Sequence, residues 1–382
     1  MDIDHIHFYV DDAVASRDWF IHTLDFQAVS SKVGTDDRTE IVSSGPIYCV
    51  LSSAITHESS IARYLKFHPP GVADLAFQVS DLETLLKKAV LAGATLLQAM
   101  RIESHHQGYL KWAQIQGWGD LHHTLIERVG MTPLLPGGIE LDRADTTLPW
   151  LFKPAITDIP QQSAYANTQF IGIDHAVLNV ARGNLAQAVN WYEQVLGFQR
   201  QQEFSIQTQR SALCSQVIVH PKGTAQLPIN EPASTNSQIQ EFLDHNRGPG
   251  IQHIALRTAD IVRAIADLRA QGLAFLRVPQ TYYTQLPQRP GFRPEALDWE
   301  AIAQQEILVD WRIDRPYALL LQAFTQPIFE QPTFFFELIE RQTYQLNSIY
   351  QQVEGFGEGN FQALFEAIER EQIKRGGLEL PT

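Results

Sequence analysis

The chain has 382 residues, 44% of them hydrophobic, a formal net charge of −14 and two cysteines. That length exceeds what one hydrophobic core usually fills, so two domains are expected. The acidity argues against non-specific binding to nucleic acid or to an anionic membrane surface, no stretch approaches the ~18 consecutive apolar residues of a membrane span, and Cys49 and Cys214 are too few for a disulfide framework or a cysteine-rich zinc site.

The first ten residues, Met-Asp-Ile-Asp-His-Ile-His-Phe-Tyr-Val, alternate like a strand and lack the cationic and apolar pattern of an export signal. A cytoplasmic protein with a small-molecule partner is therefore expected. A helical pattern follows, carrying Trp19 and ending at Phe26. Residues 71–77 read as a strand, Asp81 leads into an amphipathic helix over 82–92, and 124–128 read as another strand. Residues 131–169 are rich in Pro, Gly, Asp, Thr and Gln and read as a linker or peripheral excursion. Beyond it come a strand at 173–180, a helix carrying Trp191 and ending at Phe198, a short helix over 238–246, a strand at 250–256 and a helix over 261–270 behind Asp260. Residues 279–299, rich in Tyr, Pro and Arg, form a long connection of the kind that is often functional. The Gly-rich run 355–361 has no lysine at a phosphate-binding position and reads as a turn into a C-terminal helix, with Phe361, Leu364, Phe365 and Ile368 on one face. That helix either packs on the second half or covers a cavity with Phe356 and Phe361 as walls. Glu366, Glu369 and Glu371 read as its solvated face.

The order of elements repeats once. Ile-Asp-His at 3–5 returns at 173–175, Gly-Val-Ala-Asp at 71–74 as Gly-Ile-Gln-His at 250–253, and Thr-Leu-Ile-Glu-Arg at 124–128 as Glu-Leu-Ile-Glu-Arg at 337–341. Two α+β halves of related fold are expected. At three matching positions the second half carries His175, His253 and Glu337, and the first carries His5, Asp74 and Thr124. Two imidazoles and a carboxylate suit a divalent first-row metal, and threonine does not replace the carboxylate. The second half is thus expected to hold a metal and the first to act as scaffold. The composition is that of a facial triad, which leaves positions free for a chelating substrate and dioxygen on iron(II), although the same ligands also bind zinc. Ser215, Asn230, Gln238 and Gln322 are polar residues in apolar runs, where burial demands partners that a substrate supplies.

The second half resembles the 4-hydroxyphenylpyruvate dioxygenase family through Leu-Pro-Ile-Asn-Glu-Pro at 227–232, Ser-Gln-Ile-Gln at 237–240, Gly-Ile-Gln-His-Ile-Ala-Leu at 250–256, Tyr282-Tyr283, Leu-Gln-Ala-Phe-Thr at 321–325, Pro-Thr-Phe-Phe-Phe-Glu at 332–337 and all of 355–377. The first half resembles that family's N-terminal domain more loosely, at 4–10 and 68–74. The resemblance implies the vicinal oxygen chelate, or glyoxalase-like, fold: two related halves, each of paired βαβββ modules, with a C-terminal helix. It implies an N-terminal scaffold domain over 1–150 and a catalytic iron-binding domain over 151–382. His175, His253 and Glu337 fall on the family's Fe(2+) ligands, and Ser215, Pro228, Asn230, Gln238, Gln252, Gln322, Phe324, Phe335, Phe356 and Phe361 on its substrate pocket. Gln252 sits awkwardly there, because neighbours on a regular strand face opposite ways and His253 must face the metal.

The implied partners are 4-hydroxyphenylpyruvate and O2, the implied products homogentisate and CO2, and the implied assembly a homodimer or homotetramer. Homogentisate serves tyrosine breakdown or the synthesis of tocopherols and plastoquinone. Hydroxymandelate synthase shares scaffold and substrate but attacks the benzylic carbon; Phe361 and Pro228 favour ring attack. A zinc or nickel isomerase or lyase of the same fold, and a non-catalytic binding module, are the other classes, the first disfavoured by the aromatic pocket and the second by the complete triad.

Overall fold

A computed structural model describes residues 1–106, 108–136, 152–153, 168–208, 211–346 and 349–375. Its first half contains β1 (Asp2–Tyr9), α1 (Ala13–Leu24), β2 (Gln27–Val33), β3 (Asp37–Ser44), β4 (Ile47–Ala54), α2 (Ser60–Phe67), β5 (Gly71–Gln78), α3 (Leu82–Leu91), β6 (Leu96–His105), β7 (Gly108–Gln116) and β8 (His122–Gly130). A two-residue ribbon, β9 (Thr132–Pro133) with β10 (Phe152–Lys153), follows. The second half repeats the plan with β11 (Gly172–Asn179), α4 (Leu185–Leu196), β12 (Gln199–Gln207), β13 (Ala212–Val219), β14 (Gln226–Pro232), α5 (Gln238–Asn246), β15 (Gly250–Arg257) and α6 (Ile261–Ala270). It continues through α7 (Gln280–Gln285), α8 (Trp299–Gln304), β16 (Leu308–Arg312), β17 (Arg315–Phe324) and β18 (Phe335–Arg341), and closes with the hairpin β19 (Thr343–Leu346) and β20 (Ile349–Gln352) and the helix α9 (Phe361–Arg375).

The strand orders are β2-β3-β4-β1-β5-β8-β7-β6 and β12-β13-β14-β11-β15-β18-β17-β16, position for position the same. Each sheet is two βαβββ modules joined where their first strands run antiparallel, β1 against β5 and β11 against β15. The expected fold is therefore present in both halves. The expected boundary at residue 150 lies outside the described residues.

Capping repeats along with topology. Asp81 accepts from the Thr84 amide at the start of α3 and Asp260 from the Arg263 amide at the start of α6, each satisfying a donor that the helix leaves open. One face of each sheet enters a shared core, where Ile6 and Phe8 of β1 join Ala176 and Leu178 of β11. The halves meet through aromatic edges: Phe8 against Phe334 at 5.1 Å and Phe20 against Phe336 at 6.0 Å. Fully buried His123 ties across as well, its Nδ1 to the Leu75 carbonyl and its Nε2 to the Tyr192 hydroxyl at 3.0 Å. Cys49 is buried in the first half and Cys214 half-buried in the second, both free thiols.

Two expectations are modified. The connection after α6 carries no residue that lines the cavity described below; it covers the edge strand β16, where Arg289 pairs with Asp310 and the Tyr282 hydroxyl bonds to both the amide and the carbonyl of Val309. A covered edge cannot recruit a foreign strand. Glu369 does not belong to a solvated face: it is 5% exposed and accepts from the hydroxyls of Thr208 and Ser211, because α9 lies along the outer strands of the second sheet.

Candidate metal centre and cavity

β11, β15 and β18 are neighbours in the second sheet, and they bring His175, His253 and Glu337 together from sites up to 162 residues apart in sequence (337 − 175). Their ligand atoms lie within 4.8 Å of one another. The Nε2 atoms of His175 and His253 stand 3.2 and 3.4 Å from Glu337 Oε2. The three residues are at most 8% exposed.

The inner donors of His175 and Glu337 are set by the partner of the other polar atom, whereas His253 Nδ1 is buried without a hydrogen-bond partner among the described residues. His175 Nδ1 is 2.9 Å from Asp174, which assigns the proton to that nitrogen and leaves Nε2 as the donor atom. Neighbours on a strand normally face apart, but the β11–β15 register slips between Ile173 and His175, and this bulge turns Asp174 alongside its neighbour. Asp174 is fully buried at its carboxylate and paired with Arg341 at 2.7 Å and Arg257 at 3.2 Å. Glu337 Oε1 accepts from the Gln322 amide at 2.9 Å, which leaves Oε2 facing the imidazoles. The Gln322 oxygen in turn accepts from Asn360, and the Asn360 oxygen accepts from the Tyr282 hydroxyl.

Burial alone would lower the pKa of His175, but Glu337 and Asp174 beside it raise the group to about 9. At His253 burial prevails and the pKa falls. Burial opposes the ionised form of Glu337, yet the two imidazoles draw it down to about 2. An ionised carboxylate facing two imidazole nitrogens in a buried pocket is a donor set that fits a divalent cation, which would displace the proton on His175.

A cavity of roughly 600 Å³, counting its open mouth, adjoins this centre. All thirteen residues named from the sequence line it: the triad with Ser215, Pro228, Asn230, Gln238, Gln252, Gln322, Phe324, Phe335, Phe356 and Phe361. Phe335 stacks on His253 at 4.8 Å, Phe324 meets both edge-on, and Phe356 packs edge-on to His175 at 5.3 Å. Gly357, at φ 77°, lies so close to Gln322 that a Cβ would overlap its amide. Gln252 reaches the same cavity as His253 because a second register slip, between Val177 opposite His253 and Leu178 opposite Ile251, leaves it unpaired at a bulge.

Away from the centre, Ser215, Asn230 and Asn179 sit opposite one another on β13, β14 and β11, a polar row across three strands. Ser215 Oγ, Asn179 Nδ2 and, from α5, Gln238 Oε1 are buried without a hydrogen-bond partner among the described residues. Such atoms are costly unless a ligand completes them.

Several lining residues were not anticipated as such. Val177 shares the face of His175 two residues on, a signal that alternation carried. Phe204, Ile206 and Leu213 lie on β12 and near the start of β13; Asn360 and Tyr282 do not line the cavity but brace Gln322 from outside it.

Two sheets of paired βαβββ modules, one bearing three convergent ligands over an aromatic cavity, define a vicinal oxygen chelate protein with a metal-competent centre. Residues 172–287 match the Glyoxalase/Bleomycin resistance protein/Dioxygenase superfamily. The chain is 36% identical to 4-hydroxyphenylpyruvate dioxygenase of Caenorhabditis briggsae (98% of this chain, 93% of that one) and 35% identical to that of Danio rerio (100% and 93%). Among solved structures it is similar to a mutant 4-hydroxymandelate synthase from Streptomyces coelicolor, with a TM-score of 0.77 and 26% identity over 97% of this chain and 98% of that one. The chain belongs to the 4-hydroxyphenylpyruvate dioxygenase family. Among the described residues no helix is long and apolar enough to cross a membrane.

Proposed function

We propose that the protein converts 4-hydroxyphenylpyruvate and O2 to homogentisate and CO2, with iron(II) held by His175, His253 and Glu337. The observation that carries this reading is the buried triad opening onto a cavity with phenylalanines near the metal ligands and unpaired polar atoms farther off. Iron(II) held there would supply dioxygen activation, with the keto acid of the substrate as the chelating ligand and, through its own decarboxylation, the donor of two of the electrons. The residues supply orientation and dryness. Phe324, Phe335, Phe356 and Phe361 hold the ring, and Pro228 shapes the wall beside it. Ser215, Asn230 and Gln238, with Gln252, take the phenol end. Asn179 lies four positions beyond His175 on β11, about 13 Å of strand, a span suited to a ring with a keto acid at one end and a hydroxyl at the other. Gln322 fixes the carboxylate of Glu337 and contacts the substrate side.

On this reading residues 1–150 are the scaffold domain and 151–382 the catalytic one. The free thiols suit a reducing cytoplasm, and assembly into a dimer or tetramer rests on the family alone. Hydroxymandelate synthesis on the same centre is the second reading, favoured by the likeness to the Streptomyces enzyme. Anaerobic loading with iron(II), then substrate and air, decides. Stoichiometric oxygen uptake with homogentisate is expected; hydroxymandelate would keep the site and replace the reaction, and no uptake with iron bound would reject both.

A further inference from the structure

We propose that Arg341 is a positioning residue that couples the segment leading to α9 to the first metal ligand, an inference that rests on the metal reading above. Arg341 is the last residue of β18, four beyond Glu337, and reaches two ways. Its Nε and one terminal nitrogen grip both oxygens of Asp174 at 2.7 Å, and Asp174 holds His175 Nδ1. Its other terminal nitrogen donates to the carbonyls of Val353 and Gly355, at 3.1 and 2.8 Å. The next residue, Phe356, packs on the His175 ring and accepts the Gln322 amide through its carbonyl. One guanidinium therefore aims the imidazole from behind and straps down the turn that covers it in front. A planar fork with five donors does this; an ammonium does not.

The repeat supplies an internal control for simple fold maintenance. Arg128 stands at the matching position, pairs with Asp4 beside His5, and donates to the carbonyls of Pro133 and Leu134. The Arg-Asp-His strap thus belongs to the module and occurs in a half with no third metal ligand. In the second half it has an addition: Arg257 also pairs with Asp174, and the matching residue in the first half is Gln78.

The test compares Arg341→Gln, Arg341→Lys, Arg257→Gln and Arg128→Gln in the full chain, reading cobalt(II) affinity and its visible spectrum alongside unfolding in urea and steady-state kinetics. Arg341→Gln is expected to weaken cobalt binding about 10- to 100-fold, change the spectrum, and lower kcat more than it raises KM. Arg257→Gln keeps the strap and should show a smaller loss of affinity, and Arg341→Lys should recover only part. Arg128→Gln should lower stability and leave affinity and spectrum unchanged. If Arg341→Gln, or Arg341→Lys should the former not fold, loses stability like Arg128→Gln but binds cobalt with the wild-type affinity and spectrum, the inference is overturned. Wild-type protein that binds no cobalt would instead overturn the metal reading itself.

Discussion

In the first half Asp74 stands where His253 stands in the second, and its carboxylate is taken by the Thr124 hydroxyl and amide and by Gln114. His5 bonds Asp4, His7 bonds Ser52, and Ser52 bonds Thr39, so the polar groups on this face complete one another. In the second half Ser215 and Gln238 line a cavity with unpaired polar atoms, and Asn179, bonded to Asn230 through its oxygen, has another. Same topology, same strap, opposite outcomes: a satisfied polar network stabilises a scaffold, whereas an incomplete one costs stability that a ligand returns.

The largest expected effect is at the triad. Glu337→Ala should reduce oxygen uptake with substrate by at least about 10³-fold, some 4 kcal/mol of transition-state stabilisation, whereas Thr124→Ala, at the matching position, should leave turnover within about twofold. A comparable loss in both would mean that the first half is not a scaffold. Phe334→Ala, which removes a fully buried ring from the junction between halves, should cost about 3–5 kcal/mol in urea unfolding; two separated transitions would show that the halves are less coupled than the shared core implies.

His123 sharpens the junction in another way. Burial lowers its pKa to about 4 against an ordinary 6.5, so protonation favours the unfolded chain. Its contribution is complete above pH 6.5 and is lost as pH falls toward 4, about 2 kcal/mol of it by pH 5. Stability curves for wild type and His123→Gln should diverge in slope by that amount between pH 7 and 5; parallel curves would remove His123 from the account. The smallest effect is at Ser215→Ala. Removing an unpaired buried hydroxyl should raise the stability of the ligand-free protein by about 1 kcal/mol and raise KM several-fold, and a KM equal to wild type would mean that the hydroxyl does not face the substrate.

The repeat and the triad were legible in the sequence, because strand alternation and duplicated order are local patterns that survive without coordinates; Ser215, Asn230, Gln238 and Gln322 stood out as polar residues in apolar runs, while Pro228, Gln252, Phe324 and Phe335 came only from the family resemblance. Periodicity could not reveal that Gln252 and His253 share a cavity, since a bulge breaks the alternation on which the expectation rests, nor that Asp174 turns beside His175. It misjudged Glu369, because a helix face counts as solvated only until another strand's hydroxyls are packed against it. The tertiary structure alone decided that the long connection after α6 braces β16 and Asn360 rather than lining the cavity, and that Arg341 meets both Asp174 and the turn before Phe356. Those contacts join residues distant in sequence, and their partners are chosen by sheet curvature and register rather than by any spacing along the chain.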